Sequence, residues 1–81
     1  EVAKESLKET SIELDTYIKQ EDLTAIKHSA HKVRGTALMF GFPILYKAAF
    51  EVETDPSVSL RYYLPLIKKL KEELYLVIDN I

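Results

Sequence analysis

The stretch Asp22–Gly41, DLTAIKHSAHKVRGTALMFG, decides how the chain folds. Leu23, Ile26, Ala30, Val33, Ala37 and Phe40 recur at spacings of three and four, which lays them on one stripe of an α-helix. Asp22 stands where a carboxylate can accept a free backbone N–H at a helix start. Gly41 stands where a chain leaves a helix through the left-handed conformation. The spacing predicts a helix from about Asp22 to Phe40 with one buried face.

The same periodicity extends on both sides. From about Val2 to Lys19, Ala3, Leu7, Ser11, Leu14 and Ile18 share a stripe, and the weak helix formers Thr10 and Ser11 predict local bending. A third helix starts at Pro43, a good first-turn residue, and reaches about Glu53, with Leu45, Ala48, Ala49 and Val52 facing inward. The turn Thr54-Asp55-Pro56-Ser57 leads to a last helix from about Ser57 or Ser59 to Asp79. Its stripe is Leu60, Tyr63, Leu64, Ile67, Leu70, Leu74, Val77 and Ile78. Pro65 lies inside that pattern, so it either kinks the helix or marks a later start. Four amphipathic helices with short links predict an all-α domain over residues 1–81, an antiparallel up-down four-helix bundle.

Composition narrows the function. With 81 residues the chain makes one domain with a modest core. It has no cysteine, which removes disulfides and thiolate metal sites and fits a reducing, cytoplasmic setting. A net charge of −2 gives no electrostatic case for nucleic acid. No apolar run approaches the roughly 18 residues that cross a bilayer, and Glu1-Val2-Ala3-Lys4-Glu5 lacks the apolar region of a signal peptide. A start on Glu1 is what a domain excised from a longer protein would show.

On a helical wheel at about 100° per residue the buried stripe of Asp22–Phe40 lies opposite His31. Around His31 on the outer face fall Thr24, Lys27, His28, Arg34, Gly35 and Leu38. The imidazole is thus expected to be an exposed nucleophile. Gly35 costs about 1 kcal/mol against alanine in mid-helix, so its presence on an open face calls for close approach of a partner. Arg34 and Lys27, each one turn from His31, are cations suited to holding a phosphoryl group. Leu38 adds an apolar spot on the same strip, and His28 and Lys27 border it, for partner docking. A solvated charged face is the plainer reading of the cations taken singly. His28 and His31 make at most a two-ligand metal pair with no matching carboxylate, so no metal is expected. No Gly-x-Ser-x-Gly or Walker loop points to a hydrolase or NTPase.

Ala30-His31-Lys32-Val33-Arg34-Gly35-Thr36 resembles the signature of histidine-containing phosphotransfer (HPt) domains, Ala-His-x-Leu-Lys-Gly-Ser. Gly41-Phe42 lies at the family's spacing, and Leu45, Ala48, Ala49, Val52 and Glu53 continue the register. Val33, Arg34, Thr36 and Phe42 replace the usual leucine, lysine, serine and alanine. The resemblance implies that His31 carries a phosphoryl group between aspartates of response-regulator receiver domains. The receiver would bring Mg²⁺, and this domain would need no cofactor of its own. It implies a phosphocarrier rather than an enzyme, free-standing or part of a hybrid histidine kinase, and a monomer suffices for that task. The phosphotransfer domain of a chemotaxis-type kinase shares the same core and stays open as an alternative. So does a helical interaction module without phosphoryl chemistry.

Overall fold

The computed structural model describes residues 2–55 and 60–80, and every regular element among them is helical. Helices α1 (Val2–Lys19), α2 (Leu23–Phe40), α3 (Pro43–Thr54) and α4 (Leu60–Asn80) follow one another. Each packs on its neighbour in sequence, and α1 also meets α4, so the four close around one core.

The helix ends follow local chemistry. The Asp22 carboxylate accepts the N–H of Ala25 at 3.1 Å, capping α2. Gly41, at φ 77°, ends α2, and the N–H of Phe42 reaches back to the carbonyl of Ala37 at 2.9 Å. Pro43 opens α3 in its first turn. At the end of α1 the left-handed residue is Glu21, at φ 54°. There the N–H groups of Glu21 and Asp22 bond back to the carbonyls of Ile18 and Tyr17. This is the pattern that usually takes glycine.

The core holds Leu7 and Leu14 from α1, Ile26, Ala30, Val33 and Ala37 from α2, Leu45, Ala48, Ala49 and Val52 from α3, and Tyr63, Ile67, Leu70, Leu74 and Ile78 from α4. Ile18, Leu23 and Val77 pack at its margin. Ser11 is buried as expected. Ala3 and Leu60, expected to face inward, lie outside the described side chains, as does a start of α4 at Ser57 or Ser59.

Two expectations need correction. Phe40 is exposed, because α2 ends there and Phe42, just past the turn, packs against the core instead. Leu64 is exposed, because the inward positions beside it are filled by Tyr63 and Ile67. Of the two readings of Pro65 the later start falls away, since α4 is already helical from Leu60 and Pro65 lies inside it. Thr10 sits within an unbroken α1, its hydroxyl donating to the carbonyl of Ser6 at 2.9 Å.

Candidate functional site

The register that buries Ala30 and Val33 turns His31 outward, with 57% of its side chain exposed. The ring does not wave freely. Its Nδ1 lies 2.5 Å from Oε2 of Glu53, which α3 presents from one residue beyond buried Val52. The same carboxylate takes a cation on its other oxygen, with Arg34 Nε 3.1 Å from Oε1. This second approach is a charge contact, since Oε1 has no aligned hydrogen-bond partner among the described residues.

Arg34 Nη2 also stands 3.3 Å from His31 Nδ1. One nitrogen cannot donate to Glu53 and accept from Arg34 at once. The shorter contact selects donation to the carboxylate, which leaves the lone pair on Nε2. The site is thus an exposed imidazole aimed by a carboxylate, with a guanidinium beside it.

Space lies open at Gly35, one turn along α2 from that ring. Gly35 is exposed, and a Cβ built on it would meet nothing within 4 Å beyond its own helix turn. Packing within this chain therefore does not demand glycine. His28 is exposed, and Leu38, 70% exposed, stands farther along α2. Among the described residues no group of three His, Cys, Asp or Glu side chains is placed to hold a metal ion.

Lys27 behaves differently from its wheel position. Its stem runs along the protein, half-buried, and its ammonium donates to the carbonyl of Asp55 at 3.1 Å. It also lies 5.1 Å from the ring centre of Tyr63. That buried tyrosine donates its own hydroxyl to the same carbonyl. Lys27 and Tyr63 together thus tie down the chain just after α3, two residues past Glu53. Lys32, the other neighbour of His31, pairs with Glu13 of α1 at 3.1 Å.

Sequence reasoning placed Glu53 in the family register without giving it a task at the site. Phe50, beside Arg34, was missed altogether. The available signal was the spacing: Phe50 and Glu53 share a face of α3 one turn apart.

The sequence model of the Hpt domain family matches residues 1–77. The chain belongs to that family. Hpt domains serve phosphotransfer in His-Asp phosphorelays as phosphocarriers, and they interact with receiver domains and histidine kinases. No curated protein and no solved structure gives a match. None of this Hpt domain's described helices is long and apolar enough to cross a membrane.

Proposed function

We propose that His31 is the phosphoacceptor, and that this Hpt domain relays a phosphoryl group between aspartates of two receiver domains. The observation that carries the reading is the His31–Glu53 hydrogen bond on an otherwise open surface. It supports a ring whose Nε2 lone pair faces solvent while Nδ1–H is held.

The Nε2 lone pair forms a bond to phosphorus as the bond to the receiver's aspartyl oxygen breaks, and the carboxylate leaves with that electron pair. The ring gains positive charge, which the Glu53 carboxylate offsets across Nδ1–H. In the return step a receiver carboxylate attacks phosphorus and the neutral imidazole leaves. Little covalent chemistry falls to the protein, and in-line positioning and charge neutralisation do most of the work. Mg²⁺ would come with the receiver. The short links at residues 20–22 and 41–42 favour an antiparallel up-down bundle, a rigid mount for the nucleophile.

The test is incubation with a phosphorylated receiver, Mg²⁺ and labelled phosphate. An acid-labile, base-stable label that is absent from His31→Gln supports the proposal. Equal labelling of that variant, or no labelling of the wild type by any receiver, refutes it and leaves an interaction module.

A further inference from the structure

Phe50 stands outside every role assigned so far, yet it touches the site. The Arg34 guanidinium lies over its ring, 5.8 Å from the centroid. Phe50 also stacks on Tyr46, one turn earlier in α3, with centroids 6.1 Å apart and planes inclined by 13°. Phe50 is 41% exposed, so it contributes to the surface of the site more than to the core.

We infer that Phe50 is a positioning residue of the His31 site, its ring holding the Arg34 guanidinium against Glu53. The inference deepens the phosphocarrier reading and rests on it for its purpose, although the geometry exists without a phosphoryl group.

The physical need is clear from the ion pair itself. Arg34 and Glu53 are both part-exposed, with 28% and 21% of their side chains accessible. Exposed pairs gain little because a long side chain must be held in one geometry and water screens the charges. A planar, delocalised guanidinium is the cation best suited to lie on an aromatic face. The attraction to the Phe50 ring limits the Arg34 rotamers that compete with the Glu53 contact. At an exposed site such a contact shifts the docked population by about two- to five-fold. Tyr46 acts one step further back, since an aromatic pair one helical turn apart limits where the Phe50 ring can lie.

The consequence reaches the reacting atom through charge. A docked Arg34 leaves less uncompensated negative charge where a phosphoryl group, itself anionic, must approach. With Arg34 dispersed, Glu53 would still bind Nδ1–H but would repel the incoming group more. A leucine at position 50 fills similar space and keeps the surface apolar, but it offers no π face. That difference separates positioning from simple packing.

The test reads Arg34 directly, in the full chain without any phosphodonor. Proton exchange of the Arg34 Nε–H is followed by NMR for wild type, Phe50→Leu, Phe50→Tyr and Tyr46→Leu. Phe50→Leu is expected to speed exchange about two- to five-fold, Phe50→Tyr to keep the wild-type rate, and Tyr46→Leu to give a smaller increase. Wild-type exchange in Phe50→Leu overturns the inference, as does equally fast exchange in Phe50→Tyr. Circular dichroism checks that each variant is folded. Should Phe50→Leu fail to fold, faster exchange in Tyr46→Leu with Phe50→Tyr unchanged supports the proposal, and unchanged exchange in Tyr46→Leu refutes it. Labelling of His31 is scored separately, so failure of the carrier reading would leave the exchange result standing, and the reverse.

Discussion

Glu53 of α3 and His31 of α2, 22 residues apart in sequence, meet at 2.5 Å through Oε2 and Nδ1. The pair couples the direction of the imidazole to the seating of α3. Val52 anchors that seating in the core, and the carbonyl of Asp55 fixes it again where Lys27 and Tyr63 both donate. An exposed side chain is thereby given a defined direction by buried ones.

Glu53→Gln tests the coupling. The carboxamide keeps the shape and can still accept from Nδ1–H, but the charge is gone. Bonds to a charged acceptor are roughly twice as strong as neutral ones, and each 1.36 kcal/mol is tenfold in rate. Phosphoryl transfer to His31 is expected to slow about tenfold with little change in melting. Rapid-quench measurement of label transfer from a receiver reads this, and a rate within twofold of wild type would mean that Glu53 does not assist.

Gly35→Ala separates clearance from packing. Space around the added methyl is open, so the helix should gain about 1 kcal/mol from lower backbone entropy in the unfolded chain. Gly35→Gln should retain much of that gain yet slow transfer, because the longer side chain fills the approach to His31. Urea unfolding and receiver-dependent labelling give the two numbers. Loss of stability in Gly35→Ala would show that the glycine serves the fold.

Much of this was readable from the sequence because helix signals are local. Asp22, Gly41 and Pro43 mark their helix ends by side-chain chemistry alone, and all three sit where that chemistry puts them. The exposure of His31 and Gly35 followed from the apolar stripe of α2. What stayed hidden depends on contacts between helices. The wheel of α2 cannot show that Lys27 reaches the carbonyl of Asp55, or that Glu53 arrives from α3. Phe40 misled because periodicity does not say where the core stops.

The end of α1 misled in another way. Glu21 holds a left-handed conformation that its type seldom adopts, so no sequence signal announced it. Glu21→Gly should remove that strain, partly offset by the greater freedom of glycine in the unfolded chain. A net gain of about 0.5–1 kcal/mol is expected in chemical denaturation. A net loss would show that the Glu21 side chain makes contributions beyond its backbone.

Lys27→Met distinguishes a structural lysine from a phosphate-binding one. Methionine preserves the apolar stem but cannot donate to the carbonyl of Asp55 or lie as a cation over Tyr63. The expected cost is about 1–2 kcal/mol of stability, from a lost charged hydrogen bond partly replaced by water. Salt dependence of receiver binding should stay as in wild type. If stability is unchanged and binding loses part of its salt dependence, Lys27 meets the partner instead.

Lys71 links stability to pH on the face away from His31. Its ammonium pairs with Asp15 of α1, and that close contact with the aspartate's charge raises the lysine above its ordinary 10.5 against the opposing cost of burial. A raised value in the folded state means that the folded chain holds this proton more tightly than the unfolded chain does. The stabilisation is therefore complete below about pH 10.5 and fades as the pH climbs through the folded value. The pair is part-exposed, so its worth is below about 1 kcal/mol. Lys71→Met should lower stability slightly at neutral pH and fall less steeply than wild type above pH 10.5. Urea midpoints measured from pH 7 to 11 for both proteins would show the curves converging, and parallel curves would mean that Asp15 does not stabilise the charged lysine.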